Sequence, residues 1–302
     1  MSPLPTGVYP ASVTPFDSAG EIDLVSLARL LAWFESVGCV GAVLGGTNGE
    51  GPSLSAVERR DLLRAAIPMR GKLNLIQGIG TSSLEEAKWL ASQSAKDGAV
   101  ACLVMPPSYF QAQEKGIIDW FLGLMESSKI PILAYNFPKK SDVTITVAMI
   151  KAWRAHPMFA GVKDSSGEPG NLAAFRNATP DHSLLVGDET LLALALDAGW
   201  NGSISGAANV LARTLASIVA EWGSETARTR FEWVQPTLAK LRGFSQPIAN
   251  KALLAQSGIL SSDAVRLPLL QSNHDLTQVE TDLPKGPAHS VPRPGSGSTR
   301  TL

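Results

Sequence analysis

The 302-residue sequence predicts an α/β fold, a closed (β/α)8 TIM barrel with a C-terminal helical extension. Short apolar segments alternate with amphipathic stretches, and eight such units fill about the first 222 residues, the usual size of such a barrel. The apolar segments are continuous runs, as is typical of parallel strands buried on both faces. An open doubly wound sheet is the alternative. It is disfavoured because Pro10-Ala11-Ser12-Val13-Thr14-Pro15 stands where a Gly-x-Gly-x-x-Gly turn would follow the first strand.

The individual elements carry their own signals. The eight predicted strands are residues 8–13, 40–44, 73–78, 100–105, 131–136, 159–163, 183–187 and 202–205. The first predicted helix, residues 23–37, has Leu27, Leu31 and Phe34 on one face and ends at Gly38. Helices are also predicted over residues 55–69 and 83–96, and Ser83 with Glu86 forms a capping-box pattern at the start of the second of these.

The sequence after the eighth strand predicts a second region and a tail. Helices are expected over residues 207–222, 224–241 and 247–257. We therefore assign residues 1–223 to the catalytic barrel and residues 224–282 to a helical extension packed on its side. Residues 283–302 are rich in Pro, Gly and Ser, a composition that buries too little apolar surface to order a chain, and predict a flexible tail.

Composition and charge exclude several classes of protein. The net charge of -1 gives no electrostatic basis for binding nucleic acid. No apolar run has the length of a bilayer span, and the N-terminus has no signal-peptide pattern. Cys39 and Cys102 lie in apolar segments without CxxC spacing, which favours buried free thiols in a reducing compartment. The four histidines have no metal-ligand spacing. We expect a cytoplasmic protein that uses no metal.

Lys163 is the most informative residue of the chain. It ends the apolar run Phe159-Ala160-Gly161-Val162 and is followed by the turn sequence Asp164-Ser165-Ser166-Gly167. A lysine at this point either extends its ammonium group into solvent or lies desolvated at the strand end. A desolvated lysine is one way in which proteins provide an amine that attacks carbonyl groups.

Other polar residues follow the predicted strands at the same end of the barrel, where active sites of this fold lie. The loop from Gly45 to Gly51 could bind a carboxylate through backbone N–H groups with Thr47 and Asn48, or could be a turn that simply requires glycine. Tyr135 ends the fifth strand. With Thr47 and Tyr109 it could line a proton path to Lys163, which Schiff-base chemistry needs.

These residues occur in motifs that resemble the dihydrodipicolinate synthase / N-acetylneuraminate lyase family of pyruvate-dependent class I aldolases. The resemblance covers about residues 7–270. Its motifs are the segment 7–16 with Thr14-Pro15-Phe16, then Gly46-Thr47-Asn48-Gly49-Glu50, Tyr135-Asn136-Phe137-Pro138, Gly161-Val162-Lys163-Asp164 and the segment 202–209.

The resemblance implies a role for each matching residue. Lys163 would form an imine with a 2-oxo acid, Tyr135 would be the central acid/base, and Thr47 and Tyr109 would complete the relay. The tyrosine at the position of Tyr109 reaches into a neighbouring subunit in this family, which implies a homodimer or homotetramer. The imine is covalent, so no cofactor is expected.

The pyruvoyl end and the aldehyde partner have their own expected contacts. Gly46, Asn48, Gly187 and the backbone at Ile204 would hold the substrate, and Lys140 would meet the aldehyde's carboxylate. Synthases of the family usually have threonine at position 48 and arginine at position 140. Lysine does not replace arginine at a site of bidentate carboxylate binding.

These departures favour a lyase acting on a 4-hydroxy-2-oxoglutarate or 2-keto-3-deoxy sugar acid, which would yield pyruvate and an aldehyde. Two alternatives remain open. One is 4-hydroxy-tetrahydrodipicolinate synthase, which condenses pyruvate with aspartate semialdehyde. The other is a non-catalytic barrel that binds 2-oxo acids.

Overall fold

A computed structural model describes residues 3–271 and 274–284. Eight parallel strands form a nearly closed barrel, which confirms the predicted fold. They are β1 (Gly7–Pro10), β2 (Gly41–Leu44), β3 (Asn74–Ile79), β4 (Ala101–Val104), β5 (Ile132–Asn136), β6 (Phe159–Asp164), β7 (Ser183–Val186) and β8 (Gly202–Ser205). The order is β1-β8-β7-β6-β5-β4-β3-β2, so the chain winds once around the barrel.

The barrel closes between β1 and β2 with few contacts. The two strands meet at a single parallel bridge between Ala11 and Val43. Val40 N–H donates to the Val8 carbonyl (3.1 Å), and Ser12 N–H donates to the Val43 carbonyl (3.0 Å). The predicted first strand, residues 8–13, is therefore shorter in the structure. Beyond Pro10 the backbone hydrogen bonds no longer follow the regular pattern of a parallel strand pair.

Helices surround the barrel. They are α1 (Leu24–Ser36), α2 (Ala56–Ala66), α3 (Leu84–Asp97), α4 (Glu114–Ser127), α5 (Pro138–Ser141), α6 (Val147–Trp153), α7 (Gly170–Ala178), α8 (Leu192–Asp197), α9 (Ala212–Ala220), α10 (Glu225–Arg242) and α11 (Gln246–Gln256). Ser83 Oγ accepts the Glu86 N–H (3.3 Å), but the reciprocal capping box forms instead between Ser55 and Glu58 at the start of α2.

The segment predicted as one helix over residues 207–222 is divided. Residues Ala207–Asn209 form a 3-10 turn, and α9 begins only at Ala212. The cause is the buried amide of Asn209, which donates to the carbonyls of Ala11 (2.8 Å) and Gly206 (2.9 Å) and accepts the Val13 N–H (3.0 Å). This amide ties β8 to β1 and helps to close the barrel.

The C-terminal extension returns to the barrel after α11. Asp282 accepts hydrogen bonds from the Thr214 N–H (2.6 Å) and hydroxyl (2.8 Å) at the start of α9. The division at residues 223 and 282 stays a prediction. The predicted tail, residues 283–302, lies outside the described residues from residue 285 onward.

The apolar core has two layers. Inward-facing side chains fill the barrel itself, and Tyr9, Val43, Ile76, Leu133 and Ile204 are among them. A larger layer lies between strands and helices. Cys39 and Cys102 are buried and free, and burial raises the pKa of both thiols to about 12. Within the described residues, no helix is long and apolar enough to cross a membrane.

Candidate active site

Lys163 lies inside the barrel, near its C-terminal end. Its side chain is buried, with 5% of the residue exposed. Tyr135 stands directly beside it in the register of β5 and β6, because parallel pairing aligns the two strand ends. The Lys163 Nζ is 4.0 Å from the centroid of the Tyr135 ring. Among the described residues no carboxylate forms a salt bridge with Lys163, so its buried amine has no ion-pair partner.

Gly187, at the end of β7, leaves room for the Lys163 side chain. A Cβ at this position would stand 2.8 Å from Lys163 Cε and 1.9 Å from Ser165 Oγ, far inside ordinary contact distance. Ser165 Oγ also donates a long hydrogen bond to the Tyr135 hydroxyl (3.5 Å). The sequence indicates only that Ser165 lies in a turn, because its contact with Tyr135 depends on side-chain orientation.

A buried amide and carboxylate hold the ends of β5 and β6 together. Asn136 donates to Asp164 Oδ1 (2.8 Å) and accepts the Ile145 N–H (2.9 Å). Asp164 also accepts bonds from the Ser166 N–H and hydroxyl, both at 3.0 Å. These bonds fix the backbone immediately after Tyr135 and Lys163, and so determine where the two side chains point.

Lys163 and Tyr135 open into a cavity of about 560 Å³. Of the residues predicted for the site, six line this cavity: Thr47, Asn48, Tyr135, Lys140, Lys163 and Gly187. Two others, Gly46 and Ile204, do not line it. Ile204 is fully buried in the barrel interior beside Tyr9. The structure thus brings together the predicted amine, two hydroxyl residues and the loop after β2.

Tyr109 does not line the cavity of its own chain. It is 92% exposed and has a φ of 82°, in the left-handed region that non-glycine residues seldom adopt. Its ring packs edge-on against the exposed Phe110, with centroids 5.5 Å apart. In this structure Tyr109 takes no part in the cavity of its own chain, and its predicted role stays a prediction.

The loop after β2 is a tight backbone structure. Gly45 has a φ of 62°, and a Cβ at Gly51 would stand 2.3 Å from the Gly45 carbonyl oxygen. A residue of the C-terminal extension holds Asn48 in place. Asn250 donates hydrogen bonds to Asn48 Oδ1 (3.4 Å) and to the Gly206 carbonyl (3.0 Å). The extension thus supports the candidate carboxylate-binding loop.

A buried ion pair that sequence analysis missed lies beneath this loop. Glu50 forms a salt bridge with Lys251 of α11, and both side chains have no exposed surface. Lys251 Nζ donates to the Ala264 carbonyl (2.7 Å), and Glu50 accepts the Arg266 N–H (2.9 Å). Burial lowers the pKa of Lys251 to about 8, although Glu50 opposes the shift.

A second missed pair lies at the cavity wall. Arg242, the last residue of α10, binds both carboxylate oxygens of Asp188, which follows Gly187; the Nη2–Oδ2 distance is 2.8 Å. Burial raises the pKa of Asp188, but the hydrogen bonds from Arg242 and Thr190 outweigh it and lower the pKa overall. The residues next to Arg242 and Lys251 in the sequence do not indicate these ion pairs, because only the packing of the extension brings the two cations to their partners.

In the described part of the chain, no group of three or more His, Cys, Asp and Glu residues is placed to hold a metal ion. The charged groups of the cavity are instead amines, a guanidinium group and three carboxylates. The three carboxylates belong to Glu50, Asp188 and Glu189.

The chain is similar over most of its length to proteins of one known family. The model of the dihydrodipicolinate synthetase family matches residues 4–284. The chain is 31% identical to a 4-hydroxy-tetrahydrodipicolinate synthase of Archaeoglobus fulgidus, over 90% of this chain and 94% of that protein. It is 32% identical to an uncharacterized DapA-like lyase of Chloroflexus aurantiacus, over 90% and 93% of the two chains.

A solved structure shares the fold. The 4-hydroxy-tetrahydrodipicolinate synthase of the methanotroph Methylacidiphilum fumariolicum SolV superposes with a TM-score of 0.84 at 29% sequence identity. The match covers 88% of this chain and 90% of the other. The similarity therefore spans the barrel and the extension together.

Proposed function

The chain belongs to the dihydrodipicolinate synthetase family of lyases, and we propose that it condenses pyruvate with aspartate semialdehyde, as a 4-hydroxy-tetrahydrodipicolinate synthase does. Enzymes of this family act through a lysine–pyruvate Schiff base without a metal or other cofactor. Similarity to 4-hydroxy-tetrahydrodipicolinate synthases supports this reaction, whereas the residues at positions 48 and 140 favour the lyase reaction.

The environment of Lys163 carries the proposal. The Lys163 amine is buried, lies against the Tyr135 ring and faces the cavity, so a bound ketone can reach it. A lysine amine placed in this way can act as the nucleophile that forms an imine. In the proposed reaction Lys163 Nζ attacks the keto carbon of pyruvate, and loss of water gives the imine. Loss of a methyl proton then gives an enamine, whose carbon attacks the aldehyde while the aldehyde oxygen takes up a proton. The amino group of the former semialdehyde then displaces Lys163 Nζ from the imine carbon, which releases the cyclic product and restores the free amine.

Tyr135 is the proposed acid/base. It lies against Lys163, so its hydroxyl is suited to pass protons to the carbinolamine oxygen and to the aldehyde oxygen. Ser165 is hydrogen-bonded to that hydroxyl. Like Thr47, it is a candidate member of the proton relay. Tyr109 of a neighbouring subunit completes the proposed relay, which makes the active form a homo-oligomer.

The pyruvate carboxylate is assigned to the loop at Thr47 and Asn48. Backbone N–H groups of such a glycine-rich turn bind anions, and Asn250 holds Asn48 in place. We also propose that Gly46 and the backbone at Ile204 support the substrate site, and that Gly187 leaves space beside the imine.

Borohydride reduction in the presence of pyruvate tests the proposal. The wild-type chain should gain one pyruvate adduct on Lys163, identified by peptide mass, and should consume pyruvate with aspartate semialdehyde. Lys163→Ala should lose both properties. Lys139→Ala is the matched control, because Lys139 lines the same cavity but is exposed, and it should keep the adduct. Absence of an adduct on the wild-type chain would refute the Schiff-base mechanism.

A second candidate function is cleavage of a 4-hydroxy-2-oxo acid to pyruvate and an aldehyde. Asn48 and Lys140 favour it, since both line the cavity where synthases usually have threonine and arginine. The two functions share the imine and differ in the aldehyde. Comparing kcat/KM for pyruvate release from 4-hydroxy-2-oxoglutarate with that for condensation with aspartate semialdehyde decides between them.

A further inference from the structure

In the cavity wall, cationic groups are available to bind a substrate, whereas the carboxylates are already hydrogen-bonded or paired. Among the described residues, the ammonium groups of Lys139 and Lys140, which line the cavity, have no ion-pair partner. The carboxylates are already engaged: Glu50 is paired with Lys251, and Glu189 accepts bonds from the Ser205 hydroxyl (2.6 Å) and the Ala207 N–H (3.0 Å). An acceptor with its own negative charge is therefore favoured here.

Arg242, also on this wall, is held by hydrogen bonds to two neighbouring side chains. Its Nη1 donates to Asp188 Oδ1 and to Thr190 Oγ1 (3.2 Å), and its Nη2 donates to Asp188 Oδ2 (2.8 Å). Guanidinium has five N–H donors in a fixed plane. In the described part of the chain, no bond uses Nε–H or the second hydrogen of Nη2. These two donors are parallel and form a second fork of the kind that binds a carboxylate.

We propose that Arg242 binds the carboxylate of the acceptor aldehyde through its open Nε–Nη2 edge, and so selects anionic acceptors. Asp188 and Thr190 hold the guanidinium in place. Arg242 therefore loses less conformational entropy when it binds a carboxylate than an unrestrained side chain such as Lys140 does. The link to the reaction centre is short: Asp188 follows Gly187, and Gly187 lies against Lys163 Cε. Arg242 would thus provide the guanidinium that position 140 lacks.

This inference rests on the proposed function, so its test compares two acceptors on one pyruvate imine. The acceptors are aspartate semialdehyde, which carries a carboxylate, and propanal, which does not. Arg242→Gln should lower kcat/KM for aspartate semialdehyde roughly 10- to 100-fold, the scale of a charged hydrogen bond. It should leave kcat/KM for propanal and the borohydride adduct with pyruvate within about twofold of wild type.

Two further variants keep the inference falsifiable. Arg242→Lys retains the charge but not the fork, so a selective loss with this variant supports the proposal even if Arg242→Gln folds poorly. Lys140→Gln tests the competing anchor and should cause a smaller selective loss than Arg242→Gln. Equal losses for both aldehydes, or a larger loss with Lys140→Gln, would overturn the role of Arg242. Absence of an adduct on the wild-type chain would instead refute the proposed function.

Discussion

At the scale of single residues, the space around Lys163 depends on the absence of a side chain at Gly187. The hydrogen that glycine has in place of Cβ lets the Lys163 side chain and Ser165 occupy the same corner of the cavity. A methyl group there would displace one or both of them. The protein therefore uses a glycine to set the position of a reactive amine, rather than to permit an unusual φ.

Gly187→Ala should reduce imine formation. The added Cβ would overlap Ser165 Oγ and press on Lys163 Cε, so both side chains must move. We expect the rate of borohydride trapping with pyruvate to fall at least tenfold, since an ångström-scale misplacement at a reacting group is costly. Gly80→Ala is the control, because nothing lies within 4 Å of a Cβ at Gly80. Equal trapping rates in the two variants would contradict this account.

Tyr135→Phe should separate binding from catalysis. The ring that packs on Lys163 stays in place, while the hydroxyl that Ser165 contacts is lost. We expect kcat to fall on the order of a hundredfold or more, the usual effect of removing an acid/base group. Binding of pyruvate, measured by calorimetry, should be retained. An unchanged kcat would mean that another group moves these protons.

At the scale of elements, α11 and the chain after it are joined to the barrel mouth by the pair Glu50–Lys251. The left-handed φ of 54° at Glu50 turns its side chain inward, and the Arg266 backbone binds it from the other side. Arg266 also forms an ion pair with Glu58 of α2. The extension thus bonds directly to the loop that we assign to pyruvate.

Removing either partner of this pair should destabilise the fold unequally. Lys251→Met leaves a carboxylate buried alone and should cost about 3–5 kcal/mol in the free energy of unfolding. Glu50→Gln should cost less, because the pKa of Lys251 is already lowered to about 8 and the amine can lose its charge. The double variant Glu50→Gln/Lys251→Met should cost less than the sum of the single variants.

Urea unfolding of the four proteins in this cycle measures the coupling. The control is Lys115→Met, which removes the exposed i,i+4 pair with Asp119 and should cost less than about 1 kcal/mol. Additive losses at Glu50 and Lys251 would show that the two charges do not stabilise each other.

The elements also show what the sequence could predict. Mostly apolar runs locate the strands, because burial on both faces favours apolar residues, although buried polar residues such as Gln77 and Ser203 also lie in them. The motifs after those strands indicate Lys163, Tyr135 and the Thr47 loop, because strand ends of a barrel meet at one face. Arg242 and Lys251 could not be predicted in this way. Their partners, Asp188 and Glu50, lie 54 and 201 positions earlier in the chain, and only the packing of the extension brings them together.

At the scale of the whole molecule, one chain does not contain the complete predicted site. Tyr109 is highly exposed, adopts a left-handed φ and packs on an exposed phenylalanine. Strained, exposed aromatic residues of this kind are more readily explained as part of an interface than as part of an isolated surface. We therefore expect Tyr109 to complete the site of a second copy of this chain.

Mixed oligomers test that expectation. Lys163→Ala and Tyr109→Phe should each be nearly inactive alone. When the two variants are co-expressed with different tags and purified as mixed oligomers, activity should reappear. In a mixed dimer, the Tyr109→Phe chain keeps its own Lys163 and receives an intact Tyr109 from its partner, so one complete site forms.

The matched control mixes Lys163→Ala with Tyr135→Phe. Both changes affect the same cavity of one chain, since Lys163 and Tyr135 are register partners on β6 and β5, so exchange of subunits restores no site. Recovery with the Tyr109 variant and none with the Tyr135 variant would establish that the tyrosine acts across an interface. If neither mixture recovers activity, Tyr109 serves its own chain, and the loop that carries it must then fold inward over the cavity when substrate binds.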